Sequence, residues 1–342
     1  ENLRKDVVQL FTVIAFIFFL IFGGLRFEVG ADWTNYEDLF LANESWSDVF
    51  SSNKEYLFQV FSYVFKLSFN NYSVFVFAFF FISFCLKFVF IKKYSPDIFL
   101  SLIIYIYTIF SIYDLNGIRQ GMALGLCMLS ISYILDQNIF KFIGIITIAS
   151  LFHLSAIIFF PFYFLSRTKL TNKQILFSLL LVFIISIPFR SFLKNSQFIQ
   201  TLFLSETFEH YSVYATSTDY ALDVPIISFA VFQRFFIFIL FIITYKKIII
   251  KDEIKLLLRN GYFVGIILFL IFSFSLEISA RLSFYYKAME IIMIPLIVYS
   301  FIPKYQKMFL IIVFTLLSIV GMSRLLSIPD GSLIPYNNLL FL

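Results

Sequence analysis

Charge is scarce in this chain: Asp, Glu, Lys and Arg together make up 14% of 342 residues. Histidine and cysteine occur twice each. With 61% hydrophobic residues, 51 Phe and 20 Tyr, there is too little polar surface to cover a water-soluble globule. A cytosolic enzyme and a nucleic-acid binder are therefore excluded, and the net charge of +5 does not argue for nucleic acid. Cys85 and Cys127 both lie in apolar runs and read as small buried hydrophobes, which excludes a disulfide scaffold. There is no Walker A sequence, no GxGxxG opening a helix, no HExxH, no DxD and no Cys/His metal cluster. No cofactor and no metal are expected. What remains is an all-α, polytopic integral membrane protein with a mean hydropathy of +0.91.

A helix needs about 20 apolar residues to cross the hydrocarbon core. Segments near 7–25, 72–91, 97–114, 116–135, 174–192, 225–245, 258–277, 283–302 and 307–325 meet that length, giving about nine spans in a single transmembrane domain over 1–342. A β-barrel would show short alternating segments instead. The first run lacks a small-residue cleavage site, so it is not a signal peptide. The chain begins at Glu1 rather than Met, which leaves room for one more span before it.

Basic residues in short loops set orientation. Arg4, Lys5, Lys92, Lys93, Arg167, Lys169, Lys173, Lys246, Lys247, Lys251, Lys255, Arg259, Lys304 and Lys307 fall on one side, taken as cytoplasmic. The loops 26–55 and 193–224, and the tail from about 326, then face outward. Segment 142–165 upsets this parity if it forms one span. A re-entrant hairpin over 139–166, with His153 near its tip and residues 166–173 cytoplasmic, restores it. Non-helical backbone at that depth must be buried in protein or line a wet cavity. Residues 55–69 are too polar on one face for a span, with Glu55, Gln59, Ser62 and Lys66, and read as an amphipathic outer helix.

The outer side carries an unusual set of charges, and ionisable groups near membrane depth mark working sites by default. Lys dominates the inner loops. Outside stand Arg26, Arg119, Arg190, Arg281 and Arg324 against Lys54, Lys194 and Lys287. The planar Arg fork binds phosphate oxygens in bidentate fashion and stays charged in a partly dry site. A cluster of outer Arg therefore fits an anionic ligand at the outer leaflet, such as a lipid diphosphate. The bland reading stands beside it: an Arg at a helix end also snorkels, or pairs with Asp114 or Glu277. Glu28, Glu37, Asp38, Glu44 and Asp48 read as a solvated face. Asp32 differs, because Val29-Gly30-Ala31 before it is a small-residue turn that lets backbone approach a ligand. Trp33, Tyr36 and Trp46 serve equally as an interfacial belt or as sugar platforms.

Arg26-Phe-Glu-Val-Gly30-Ala-Asp32-Trp-Thr-Asn-Tyr36, Glu55 heading an amphipathic helix, Asn116-Gly-Ile-Arg119-Gln120-Gly-Met-Ala123, Phe152-His153-Leu-Ser155-Ala156 before Pro161, and Arg281 with Tyr285 occur in that order. In this the chain resembles the EpsG-like family of bacterial polysaccharide polymerases of the O-antigen (Wzy) type, over nearly its whole length. The least familiar part is 193–224, with Glu206, Glu209 and His210. The resemblance implies a glycosyltransferase of the bacterial inner membrane, its active site facing outward. Its substrates would be undecaprenyl-diphosphate-linked oligosaccharides, with a chain-length regulator and a flippase as partners. The site must stabilise the departing diphosphate and supply a base for the incoming hydroxyl. Arg119 and Arg281, with Arg26 as a third, suit the first role. Asp32 is the first candidate for the base, with His153 and Glu55 as rivals. Tyr36, Asn116, Gln120 and Tyr285 are candidates for sugar contacts. A flippase or other transporter would show an internal repeat and polar groups at the midplane of several helices. A ligase would use the same donor with another acceptor, and a membrane O-acyltransferase would draw its donor from the cytoplasm.

Overall fold

The computed structural model describes residues 2–51, 55–195, 228–301, 303–326 and 333–341. Most of the segment 193–224, expected as an outer loop, lies outside the described residues, with Glu206, Glu209 and His210, as do Lys54 and the side chains of Lys194 and Arg324. Every regular element among the described residues is a helix. The chain divides into two compact units: Glu1–Ile157 with Phe301–Leu342, and Ile158–Ser300.

The first unit holds α1 (Asn2–Phe19, continued by a π-helical turn Leu20–Gly24), α2 (Trp33–Ala42), α3 (Trp46–Ser51), α4 (Tyr56–Phe69) and α5 (Tyr72–Tyr94). It continues with α6 (Ile98–Tyr105, extended by a π-helical stretch Ile106–Asp114), α7 (Ile118–Leu135) and α8 (Ile139–Phe152). The second holds α9 (Phe162–Leu165), α10 (Asn172–Asn195), α11 (Phe229–Thr244), α12 (Asp252–Ile271), α13 (Leu276–Lys287) and α14 (Glu290–Tyr299). The last helix, α15 (Lys304–Leu326), returns to the first unit.

The described residues of all nine apolar segments are mainly helical, but the helices differ in length. Six helices are long and apolar enough to cross a bilayer: Lys5–Gly24, Tyr72–Tyr94, Ile118–Leu135, Asn172–Arg190, Asp252–Ile271 and Lys304–Ser323. A seventh span results if α13 and α14, bent by 52° at their junction, cross together. Ile98–Asp114 and Phe229–Thr244 are shorter apolar helices. By length and composition the count among the described residues is thus six or seven, against about nine from apolar runs alone. Hydropathy does not register the bend at Ala288–Met289, and it counts residues that flank the two short helices.

Segment 139–166 is broken where the sequence places its tip. Helix α8 ends at Phe152, His153 is extended (φ −157°, ψ 116°), and a 3-10 turn over Leu154–Phe159 follows. The helix α4 is amphipathic in an unexpected sense. Gln59 and Ser62 are fully buried, while Val64, Leu67 and Phe69 are exposed. The polar face is anchored inside by Asn43, whose Nδ2 donates to Gln59 Oε1 at 2.7 Å. Beneath α2 and α4 lies an aromatic core of Trp33, Tyr36, Phe40, Phe58, Tyr72, Phe75 and Phe79, closed by Ile118 and Met122 of α7. Removing a buried Phe from such a core costs about 3–5 kcal/mol.

In the second unit, Asn260 of α12 donates to the carbonyls of Leu165, Ser166 and Thr168, capping the end of α9. Tyr286 of α13 donates to Ile158 O at 2.8 Å. A buried pair links α12 to α14, with Tyr262 OH donating to Glu290 Oε1 at 2.5 Å.

Candidate functional site

Helix ends of the first unit converge on one cluster: the starts of α2, α4 and α7 and the end of α8. Two turns hold these ends in register. Gly30 has φ +114°, and a Cβ there would collide with the Leu115 carbonyl, so only glycine fits this close crossing. Beside it, Ala31 N donates to Asn116 Oδ1 at 2.7 Å, and Asn116 Nδ2 donates to Ser111 O at 2.9 Å. The amide of Asn116 is thus engaged at both ends in joining the loop before α2 to the turn before α7. Asp32 occupies the position before α2, but its side chain makes no capping hydrogen bond. Its half-buried carboxylate is close enough to be felt by Tyr36 and Arg119.

Glu55 likewise precedes α4 without capping it. Its Oε1 makes a close contact with His153 Nδ1, and its Oε2 lies 2.7 Å from Arg119 Nη1. The Arg119 contact is an ion pair without hydrogen-bond alignment, so Oε2 keeps an unfilled acceptor. The guanidinium stacks over Tyr36 at 5.2 Å and Phe58 at 5.7 Å. Two further buried atoms lack protein partners, His153 Nε2 and Arg119 Nε. The cluster is not sealed: the side chains of Arg119, Glu55 and His153 are 25%, 15% and 9% exposed.

Burial opposes ionisation of Glu55, but His153 and Arg119 outweigh it and hold the carboxyl below its ordinary value. Glu55 is therefore a poor base and a good anchor. Burial pushes the Tyr36 hydroxyl up to about 12, Asp32 adding to the effect and Arg119 opposing it, so Tyr36 remains a proton-bearing group at neutral pH. With Nδ1 of His153 turned to Glu55, Nε2 is the ring nitrogen left without a protein partner. Gly117 precedes helix α7 and offers no side-chain cap, and Arg119 lies in the helix's first turn. A helix start with an Arg in its first turn favours an anion.

Of the residues singled out from sequence, Asp32, Tyr36, Glu55, Arg119 and His153 thus come together, with Asn116 joining their supports. Gln120 is buried in the same turn as Arg119. Arg26 is buried, its guanidinium lying over the Trp33 ring at 5.8 Å, and its Nη1 donates to Gly23 O at 2.6 Å. Arg281 and Tyr285 belong to the second unit. There Arg281 Nε lies 3.3 Å from Glu277 Oε2, one turn away on the same helix, and Tyr285 is buried against Phe284. Lys87 and Glu290 went unnoticed in the sequence: each is a charge inside a helix, fully buried. A Lys set inside the apolar run of a 23-residue helix, before the terminal Lys92 and Lys93, was the available signal for the first.

The chain is therefore an integral membrane protein whose first helical unit presents a carboxylate, an imidazole and a guanidinium in mutual contact at converging helix ends. It belongs to the EpsG family, whose model matches residues 9–338, and this membership points to a membrane protein of the polysaccharide-polymerase type. No curated protein and no solved structure matches it.

Proposed function

We propose that this protein joins undecaprenyl-diphosphate-linked oligosaccharide repeats at the outer face of the bacterial inner membrane. A hydroxyl of one lipid-linked repeat attacks the anomeric carbon of the growing chain. The new C–O bond forms as the bond to the diphosphate oxygen breaks, and undecaprenyl diphosphate leaves with the electron pair. The leaving group carries the activation, so no nucleotide is required.

The observation that carries this reading is the sharing of one carboxylate. Glu55 holds both His153 and Arg119, and leaves His153 Nε2 and Arg119 Nε buried without protein partners. In the proposed roles Arg119 receives the developing charge on the diphosphate, and His153 Nε2 takes the proton of the attacking hydroxyl. Glu55 fixes the imidazole tautomer, and Tyr36 supports the guanidinium. Arg281 and Arg26 are assigned to the diphosphate as well. Asp32 stands as a second reading for the base, favoured by a carboxylate that is half-buried and not engaged in capping α2.

Lipid-linked products in a deletion strain test the function. Loss of a polymerase leaves single capped repeats, loss of a ligase leaves long unattached polymer, and loss of a flippase leaves neither outside. Complementation with His153→Gln and Asp32→Asn then separates the two bases: the true one abolishes polymer at normal expression. A reconstituted assay in EDTA tests metal independence, and activity that returns only with magnesium or manganese overturns that part.

A further inference from the structure

The proposed reaction makes no use of Lys87 and Asp114, whose side chains are 0% and 1% exposed. Lys87 Nζ closely contacts Asp114 Oδ1 and donates to Ser83 Oγ at 2.6 Å. Asp114 also accepts from Ser83 Oγ at 3.2 Å, and its Oδ2 accepts from Tyr105 OH at 2.5 Å. None of these four side chains has a buried polar atom left without a partner. A single Lys or Asp at the centre of a membrane helix costs about 2.5–3.5 kcal/mol on insertion scales, and apolar residues would fill the same space without that penalty.

What the pair touches gives its purpose. Asp114 ends the π-helical stretch, and four residues later α7 begins at Ile118. A Cβ on Gly121 would come within 2.7 Å of Asp114 Oδ1 and 2.8 Å of Tyr113 O, so the first turn of α7 rests directly on Asp114. That turn carries Arg119. The intervening Asn116 reaches across to Ala31, next to Asp32.

We propose that the Lys87–Asp114 pair is a positioning device: it fixes the 114–117 turn, and through it sets Arg119 against Glu55 and the Gly30–Asp32 loop against α7. The proposal rests on the reading of the Glu55–His153–Arg119 cluster as the active site.

The test uses the double variant Lys87→Met with Asp114→Asn, which removes both charges and leaves neither unpaired. Position is read by Glu55→Cys with Arg119→Cys in a chain lacking Cys85 and Cys127, treated in membrane vesicles with a short bifunctional thiol reagent. Activity is read as polymer per protein molecule in the complemented deletion strain, without the introduced cysteines. The expected result is normal insertion and heat resistance, slower cross-linking, and polymer output down by as much as about a hundredfold, the scale on which a misplacement of about 1 Å acts. Parental cross-linking or parental polymer output in the double variant overturns the proposal. So does failure of that variant to insert or fold, since the pair would then support the whole bundle. A deletion strain with no polymerisation defect, together with slowed cross-linking, would put the fault in the proposed function and not in the positioning.

Discussion

Two charged clusters of the first unit are built from similar groups and end in opposite states. Around Asp114, one carboxylate meets an ammonium, a phenol and a hydroxyl, and every polar atom is matched in a sealed interior. Around Glu55, one carboxylate meets an imidazole and a guanidinium, and three buried atoms remain unfilled at a partly open surface. Saturation suits a device that holds its neighbours still, because nothing gains by entering it. Unfilled donors and acceptors, next to a helix start and an aromatic floor, favour an incoming polar group. The contrast separates the charge that fixes the site from the charge that works in it.

The largest expected effect breaks the open cluster. His153→Gln should lower polymer output by about 10²–10⁴, the usual worth of a positioned acid–base group. Polymer ladders normalised to membrane-inserted protein measure it. Asp114→Asn alone should break the closed cluster by leaving the Lys87 charge unmatched, at about 3–5 kcal/mol. The readout is the fraction of protein surviving heating in detergent, and adding Lys87→Met should recover much of the loss. Gly30→Ala attacks the crossing between the two turns. Its left-handed backbone and the facing Leu115 carbonyl imply about 1–3 kcal/mol of strain, seen as a lower melting temperature.

The pH dependence is smaller and has a definite sign. Glu55 is depressed in the folded state, so its contribution to stability is complete above the ordinary carboxylate range and is lost as pH falls through its lowered value. Heat resistance of the parent should therefore decline as pH drops below about 4, and Glu55→Gln should flatten that part of the curve. The smallest stability effect belongs to Arg281→Ala. Its pair with Glu277 is half-exposed and one helical turn apart, a geometry worth about 0.3–0.5 kcal/mol. Near-parental melting with loss of polymer would assign Arg281 to the diphosphate, whereas parental polymer would leave it a surface pair.

The all-helical class was legible because apolar runs of membrane length admit little else. The 52° bend between α13 and α14 was not, since no Gly or Pro interrupts Lys287-Ala288-Met289-Glu290. The turn before Asp32 was legible through Gly30, whose left-handed φ matches the small-residue signal. Glu55 was read as the head of an amphipathic helix and as a rival for the base, not as the partner of His153. Its contact lies 98 positions away at His153, a separation that local spacing does not encode. Lys87 was hidden in the same way. Its partner is 27 positions downstream, and among so many Phe a single Lys barely alters the hydropathy of its helix.

The segment 333–341 folds back onto the end of the first helix. Tyr336 OH closely contacts Phe22 O, Asn338 Nδ2 donates to Ile21 O at 3.0 Å, and Leu339 N donates to Leu25 O at 2.9 Å. Phe27 N donates to Asn337 O at 3.1 Å, directly beside Arg26. During synthesis the ribosome delivers Ile21 well before Asn338, 317 positions later, so the carbonyls just beyond α1 wait for their partners while the residues between them are made. The loop that carries Arg26 and Asp32 is thus completed only once residues 336–339 have emerged, and a nascent chain stalled short of Tyr336 carries an unfinished site.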